Sequence, residues 1–321
     1  MGAKTAIPYV DATWNPVSGC TKISPGCQHC FAERETLRWK RGPFDTIHIH
    51  ESRLGEPGTW RKSKKILLPS MGDLYHPLVP TYYRDQVFDV MAAEERHTFF
   101  LLTKRPGLMV HHVEQRQMSK RDTGFPKEVW PQNVWPGVSV ESQDWACRID
   151  ALANLRGIAP VLWVSYEPAL GAVDFSPYLY CESCGGEGGY RISIEPDEDA
   201  EWTPCPDCDG KGRFVDLIVA SGESGPEARP SHPDWFRKTR DDCVKARVPF
   251  FFKGWGGWGP WEPFAGGDLG GDMRRGIVDQ VNGDGREHDG HFRRGDCYMR
   301  RVGHRAAGAL LDGREWRELP I

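Results

Sequence analysis

Along this chain short apolar runs alternate with longer amphipathic stretches, the pattern of parallel strands joined by helices. The runs predict strands over 65–69, 98–103, 134–140, 160–165, 216–220 and 249–252, with helices over 32–40, 82–95, 142–155 and 234–246. A polar cluster follows nearly every strand: Ser70-Met-Gly-Asp73, Thr103-Lys-Arg105, Ser139-Val-Glu141, Ser165-Tyr-Glu167 and Ser221-Gly-Glu-Ser224. Any one of these is an ordinary turn or helix cap. Five in the same register are what a (β/α) barrel places on one rim, the mouth where active sites sit.

Two segments break the alternation. An insertion with its own cysteines runs from Cys181 to Gly212, and the stretch from Gly254 to Gly295 holds 13 of the chain's 36 glycines. That stretch cannot be regular throughout, and a long loop or a lid over or beside the mouth is expected. The expected units are therefore 1–180 (first part of the barrel), 181–212 (insertion), 213–253 (remainder of the barrel) and 254–321 (glycine-rich excursion and C-terminal segment).

At 321 residues the chain can bury a sizeable core. Its 41 basic and 45 acidic side chains give a net charge of -4 and no global attraction to nucleic acid or anionic membrane, so such contact needs a local patch. No run of about 18 apolar residues could span a bilayer, and residues 1–11 lack the apolar stretch of a signal peptide. A cytoplasmic protein without a membrane partner is expected. Ten cysteines in a reducing compartment are metal ligands or buried thiols rather than disulfides. Seven fall into CxxC-type clusters, while Cys147, Cys243 and Cys297 stand apart as core or surface thiols.

Cys20, Cys27 and Cys30 share one loop in which Pro16, Gly19, Pro25 and Gly26 forbid helix, so their sulfurs can converge. Three thiolates leave one metal position unfilled, as in an iron-sulfur cluster that keeps one iron open; a zinc knuckle completed by His29 or a distant residue is the alternative. Cys181-Glu-Ser-Cys184-Gly-Gly-Glu-Gly188 and Cys205-Pro-Asp-Cys208-Asp-Gly-Lys-Gly212 are two copies of CxxCxGxG. Their four thiolates close a tetrahedron, and the glycines can turn backbone amides toward sulfur. The pattern resembles the zinc-binding repeats of J-domain chaperones, and a structural zinc is expected, with a second iron-sulfur cluster as the alternative.

A three-cysteine cluster at the start of a βα barrel resembles the radical S-adenosylmethionine superfamily, although the spacing here is CxxxxxxCxxC rather than CxxxCxxC. Further runs make the chain similar to the phage-associated three-cysteine-motif proteins. They are Thr13-Trp-Asn-Pro-Val-Ser-Gly-Cys20, Ser70-Met-Gly-Asp-Leu-Tyr-His76, Leu102-Thr-Lys-Arg-Pro106, Asn133-Val-Trp-Pro-Gly-Val-Ser-Val-Glu141, Gly222-Glu-Ser-Gly-Pro-Glu-Ala-Arg-Pro230, Val248-Pro-Phe-Phe-Phe-Lys253 and Leu311-Asp-Gly-Arg-Glu-Trp316. Tyr166, Ser221 and Gly254 stand where that family has isoleucine, glycine and glutamine.

The resemblance implies an α/β fold, a partly open TIM-like barrel of radical S-adenosylmethionine type with a small four-cysteine zinc insertion. It also implies a 4Fe-4S cluster on Cys20, Cys27 and Cys30 that binds S-adenosylmethionine and splits it reductively, giving a 5'-deoxyadenosyl radical. By the same analogy His29 and Phe31 pack on adenine, Ser70 and Asp73 receive the methionine ammonium, and Ser139 and Glu141 bond ribose hydroxyls or the ammonium. Lys104 and Arg105 are two rim cations for a substrate phosphate or the cofactor carboxylate, faced by Glu167 and Glu223; these four are the catalytic candidates, or else a salt-bridge network in the mouth. A flavodoxin or ferredoxin-type reductant is implied as partner.

Phage association suggests DNA, tRNA or a nucleotide as substrate, for modification or repair. Basic runs at 61–65 and 291–305, and Trp255, Trp258 and Trp261 as stacking rings, are the features that fit. The competing function is a non-catalytic nucleic-acid- or partner-binding protein with two structural zincs. A metal hydrolase using His48 and His50 lacks an accompanying carboxylate motif.

Overall fold

The structure is a computed structural model that describes residues 5–126, 128–192, 201–261, 278–281 and 296–320. Seven strands lie side by side in chain order and all run parallel: β1 (Ala12–Thr13), β2 (Lys65–Leu68), β3 (Thr98–Thr103), β4 (Val134–Ser139), β5 (Trp163–Tyr166), β6 (Leu217–Ser221) and β7 (Phe250–Gly254). Six of them are the predicted runs, displaced by a few residues at their ends. Helices α1 (Phe31–Arg38), α2 (Thr81–Ala93), α3 (Pro106–Thr123), α4 (Cys147–Ala153) and α5 (Pro233–Ala246) lie between strands. The pattern predicts no helix where α3 stands, and the helix expected over 142–155 is a 3-10 turn at Gln143–Trp145 followed by the shorter α4.

Strands buried on both faces read as continuous apolar runs, and here alternate residues serve two cores. Ile66, Leu68, Phe99, Leu101, Val138, Val164 and Ile218 join a cluster with Phe88 of α2, Val113 of α3, Ile149 of α4 and Phe236 of α5. Leu67, Phe100, Trp163, Leu217, Val219 and Phe251 form the opposite face, which Tyr9 and Val10 fill. The Tyr9 ring lies 5.8 Å from Phe100, 6.0 Å from Trp163 and 5.7 Å from Phe251, centroid to centroid. Strands β3 and β7 are four spacings apart, about 19 Å on a flat sheet at roughly 4.8 Å each. One tyrosine reaches rings on both, so the sheet curls around it into a half-barrel.

The outer edge of β7 is covered by the C-terminal segment. Phe252 donates its N–H to the Trp316 carbonyl (3.0 Å), Glu318 donates to the Phe250 carbonyl (3.3 Å), and Phe251 bridges Arg317 in antiparallel sense. That pairing removes a row of bare backbone groups.

The glycine-dense stretch is not loop throughout. Strands β8 (Trp258–Trp261), β9 (Val278–Val281) and β10 (Cys297–Arg301) form an antiparallel sheet in the order β8-β10-β9, while 262–277 and 282–295 lie outside the described residues. Nor do Trp255 and Trp258 offer stacking faces. Both are buried, Trp255 against Phe236 and Phe252 with its indole N–H on the Leu310 carbonyl, and Trp258 with its N–H on the Ala228 carbonyl. In the insertion, Gly189–Ile192 pairs antiparallel with Glu201–Pro204. Among the described residues no helix is long and apolar enough to cross a membrane.

Candidate active site and metal centres

The loop carrying Cys20, Cys27 and Cys30 lies against the C-terminal ends of the strands. Gly19 donates its N–H to the Met71 carbonyl (3.0 Å) just after β2, and Cys20 donates to the Phe44 carbonyl (2.8 Å). Gly19 has φ +87, and a Cβ there would meet the Thr46 carbonyl oxygen at 2.1 Å, so only glycine brings the chain this close. At Gly26 a Cβ would lie 2.4 Å from Cγ of Glu141, so any larger residue would have to displace that buried side chain. Cys30 is the residue immediately before α1, at its N-cap position.

All three thiols are half-buried. Burial pushes the Cys20 thiol up to about 11, helped by Asp73 and opposed by Arg105. Burial also raises Cys30. At Cys27 burial is outweighed by the Lys104 ammonium and by hydrogen bonds from residues 23 and 24, so its thiol is held below the ordinary value.

Among the described residues, four carboxylates at the mouth are each paired with a cation. Lys104, after β3, pairs with Glu141, after β4. The same carboxylate accepts from Ser24 Oγ (2.7 Å) in the cysteine loop and from Arg148 Nη1 (2.9 Å). Arg105 pairs with Asp73, after β2 (2.9 Å), and spends its other N–H groups on Cys20 Sγ (3.3 Å) and on the carbonyl and hydroxyl of Thr21 (2.9 and 3.0 Å). Asp73 also accepts from Thr103 Oγ1 (2.7 Å) and the Tyr75 N–H (3.0 Å). Glu167 pairs with Lys253 of β7, and Glu223 with Arg229.

Lys104 and Arg105 therefore do not face Glu167 and Glu223, as the sequence suggested. The sheet order explains why: the end of β3 adjoins the ends of β2 and β4, whereas Glu167 and Glu223 follow β5 and β6. Glu141 is fully buried between two cations. Its replacement by glutamine leaves both uncompensated, and E141Q is expected to lower stability by about 3 kcal/mol in chemical denaturation; a loss below about 1 kcal/mol would show the charges to be solvated.

The other predicted residues are spread around these pairs. Ser70 donates N–H and Oγ to Asn15 Oδ1 (2.8 and 3.3 Å). Ser139 is buried, its carbonyl accepting from Arg148 (2.8 Å). His29 Nδ1 lies 3.2 Å from Glu227, and Phe31 is 54% exposed beneath the Arg34 guanidinium. Sequence reasoning missed Arg229, Arg148, Lys253 and Asn15, although Arg229, Lys253 and Asn15 stand inside motifs quoted above.

The second cysteine set is geometrically different. Cys181, Cys184, Cys205 and Cys208 are buried, with all four sulfurs within 4.8 Å of one another. The Cys181–Cys205 and Cys184–Cys208 separations are 3.9 and 3.7 Å. A tetrahedron with metal–sulfur bonds of about 2.3 Å has edges of about 3.8 Å. Gly188 and Gly212 donate N–H groups to Cys184 and Cys208 (3.3 and 3.1 Å), the amide–sulfur bonds expected of these repeats. Among the described residues the sulfurs of Cys20, Cys27 and Cys30 do not all lie within 4.8 Å of one another, unlike these four.

No curated protein matches the chain. Among solved structures it is similar to spore photoproduct lyase. A double mutant with bound AdoMet and dinucleoside spore photoproduct matches over 52% of this chain and 48% of that one, about half its length, at 11% identity and TM-score 0.39. A cysteine-to-serine mutant matches over 94% and 71%, at 10% identity and TM-score 0.44. The lyase complexed with dinucleoside spore photoproduct matches over the same shares at 9% and 0.43. Likenesses this slight say nothing about chemistry. The family match is of another kind: residues 4–320 fit the model described as Protein of unknown function (DUF5131), and the chain belongs to that family.

Proposed function

We propose that this protein is a radical S-adenosylmethionine enzyme acting on a nucleic acid or nucleotide, in modification or repair. The observation that carries the reading is the contrast between the two cysteine sets. One closes to single-ion distances; the other sets three half-buried thiols, not all gathered within those distances, beside two cations at the mouth of a curled parallel sheet. Cys20, Cys27 and Cys30 would hold a 4Fe-4S cluster, and Cys181, Cys184, Cys205 and Cys208 a zinc. When bound, the cluster supplies an electron that splits the carbon-sulfur bond of S-adenosylmethionine, giving methionine and a 5'-deoxyadenosyl radical that takes hydrogen from substrate.

The chain's own residues position and neutralise. Arg105 donates to Cys20, and Lys104 lies close enough to Cys27 to lower its thiol, so both cations offset the charge that thiolate ligands gather. Asp73 and Glu141 keep those cations in place and would reach the cofactor through them or beside them. Ser70 and Ser139 are the hydroxyls assigned to the methionine and ribose ends, and the exposed Phe31 ring, with His29, to adenine. Glu167, paired with Lys253, is assigned to substrate. For nucleic acid, support comes from the exposed Arg61 and Lys62 and from Arg300 and Arg301, which lie over Trp261 and Trp258 at the edge of the small sheet. The electron donor is of flavodoxin or ferredoxin type.

The test is anaerobic reconstitution with iron and sulfide, then addition of reductant and S-adenosylmethionine. A brown protein that forms 5'-deoxyadenosine and methionine in equal amounts is expected. A colourless protein binding zinc at both cysteine sets would end the proposal and favour a binding module.

A further inference from the structure

We propose that Arg229 is the positioning residue of the cysteine loop, and that the small C-terminal sheet buttresses it there. The Arg229 guanidinium forks onto Glu223, Nε to Oε2 at 2.8 Å and Nη2 to Oε1 at 2.6 Å. Its other hydrogen bonds go to the cysteine loop, from Nη1 to Gln28 Oε1 (3.2 Å) and from Nη2 to the Pro25 carbonyl (3.0 Å). Those two residues bracket Cys27. A planar fork on a carboxylate that is itself buried fixes direction as well as distance, which a lysine could not do. The same stretch touches the loop and α1 again: Glu227 meets His29, and the Ser224 carbonyl accepts from Arg34 (3.3 Å). Arg105 and Glu141 hold the first half of the cysteine loop, at Thr21 and Ser24; residues 224–229 hold the second, where Cys27 and Cys30 sit.

This clasp is supported from behind. Glu223 Oε2 also accepts the Arg229 N–H (2.9 Å), closing residues 223–229 on themselves. Gly257 donates to the Glu223 carbonyl (2.8 Å), and Gly256, at φ +76, sits where a Cβ would meet that carbonyl oxygen at 2.1 Å. Trp258, the first residue of β8, donates its indole N–H to the Ala228 carbonyl. A continuous path of contacts therefore runs from the C-terminal sheet to the backbone around Cys27, and Glu223 acts through Arg229 and not on substrate. The clasp needs no metal; only its importance for a cluster rests on the function proposed above.

Hydrogen–deuterium exchange on the full-length protein, before iron and sulfide are added, tests it. In R229Q, amide protection over residues 24–30 should fall about tenfold, with α2 and α3 unchanged. R229K, which keeps the charge and loses the fork, should lie between R229Q and the parent, and E223Q and W258F should loosen the same peptide. After reconstitution, iron retained through desalting should fall in the same rank order. Unchanged protection over 24–30 in a folded R229Q, or in R229K and E223Q should R229Q not fold, overturns the proposal. So does an E223Q that loses product while its exchange stays that of the parent. Zinc in place of iron at Cys27 would defeat the functional reading and leave the exchange result standing.

Discussion

Cys27→Ala gives a folded, colourless protein. Of the three thiols Cys27 is the one the fold already favours as thiolate, lying near Lys104 and within 3.6 Å of Ser24 Oγ. Two remaining thiols cannot hold a cluster that has lost one corner, so retained iron should fall from about four per chain to background. Formation of 5'-deoxyadenosine should fall at least about a thousandfold with it, because the electron then has no route to the sulfonium. Cys147→Ala, at an exposed thiol outside both clusters, should change neither. Iron content and visible absorbance read the outcome directly, and a brown C27A protein that retains product formation refutes the assignment.

The second large effect is at the four-cysteine group. Around the four buried sulfurs of the insertion, the cluster of packed side chains among the described residues consists of the cysteines themselves with Phe214 against them. So small a core does little to offset the entropy of ordering the segment, and the metal proposed for the four cysteines would do so. Structural zinc supplies on the order of 10–16 kcal/mol in peptides of this kind. Cys205→Ala should therefore release the metal and melt the insertion. The neck is narrow, with Cys181 donating to the Gly212 carbonyl (2.7 Å), and β5 and β6 on either side belong to the main sheet. Protease cleavage within 181–212 should rise about a hundredfold or more while the sheet stays folded. Cleavage spread evenly along the chain would show that the insertion is instead integral to the barrel.

The strands of the half-barrel were legible because burial on both faces writes them as unbroken apolar runs. Helix α3 was not, and its buried stripe shows the reason. Met109, His112, Val113 and Arg116 have helical spacing, but two of the four are polar. His112 and Arg116 are tolerated inside because both reach Asp85 of α2, at 3.1 and 2.6 Å; a pattern scored on hydrophobicity has no term for that partner. Strand β1 is two residues long and relies on β2 for its register. At the site, spacing exposed the cysteines and the rim residues, since those are local in sequence. The pairing among rim residues was not, because it depends on which strand ends are neighbours. Arg229 escaped for the same reason: the loop it grips lies about two hundred residues away along the chain.

Tyr9 has a consequence for whatever chemistry the mouth performs. By filling the hollow of the sheet with a ring wedged among three others, the N-terminal segment gives the cup a dry aromatic floor. Water is kept out on that side, so the exposure to solvent of anything held at the rim is set by how closely the incoming molecule stoppers the opening.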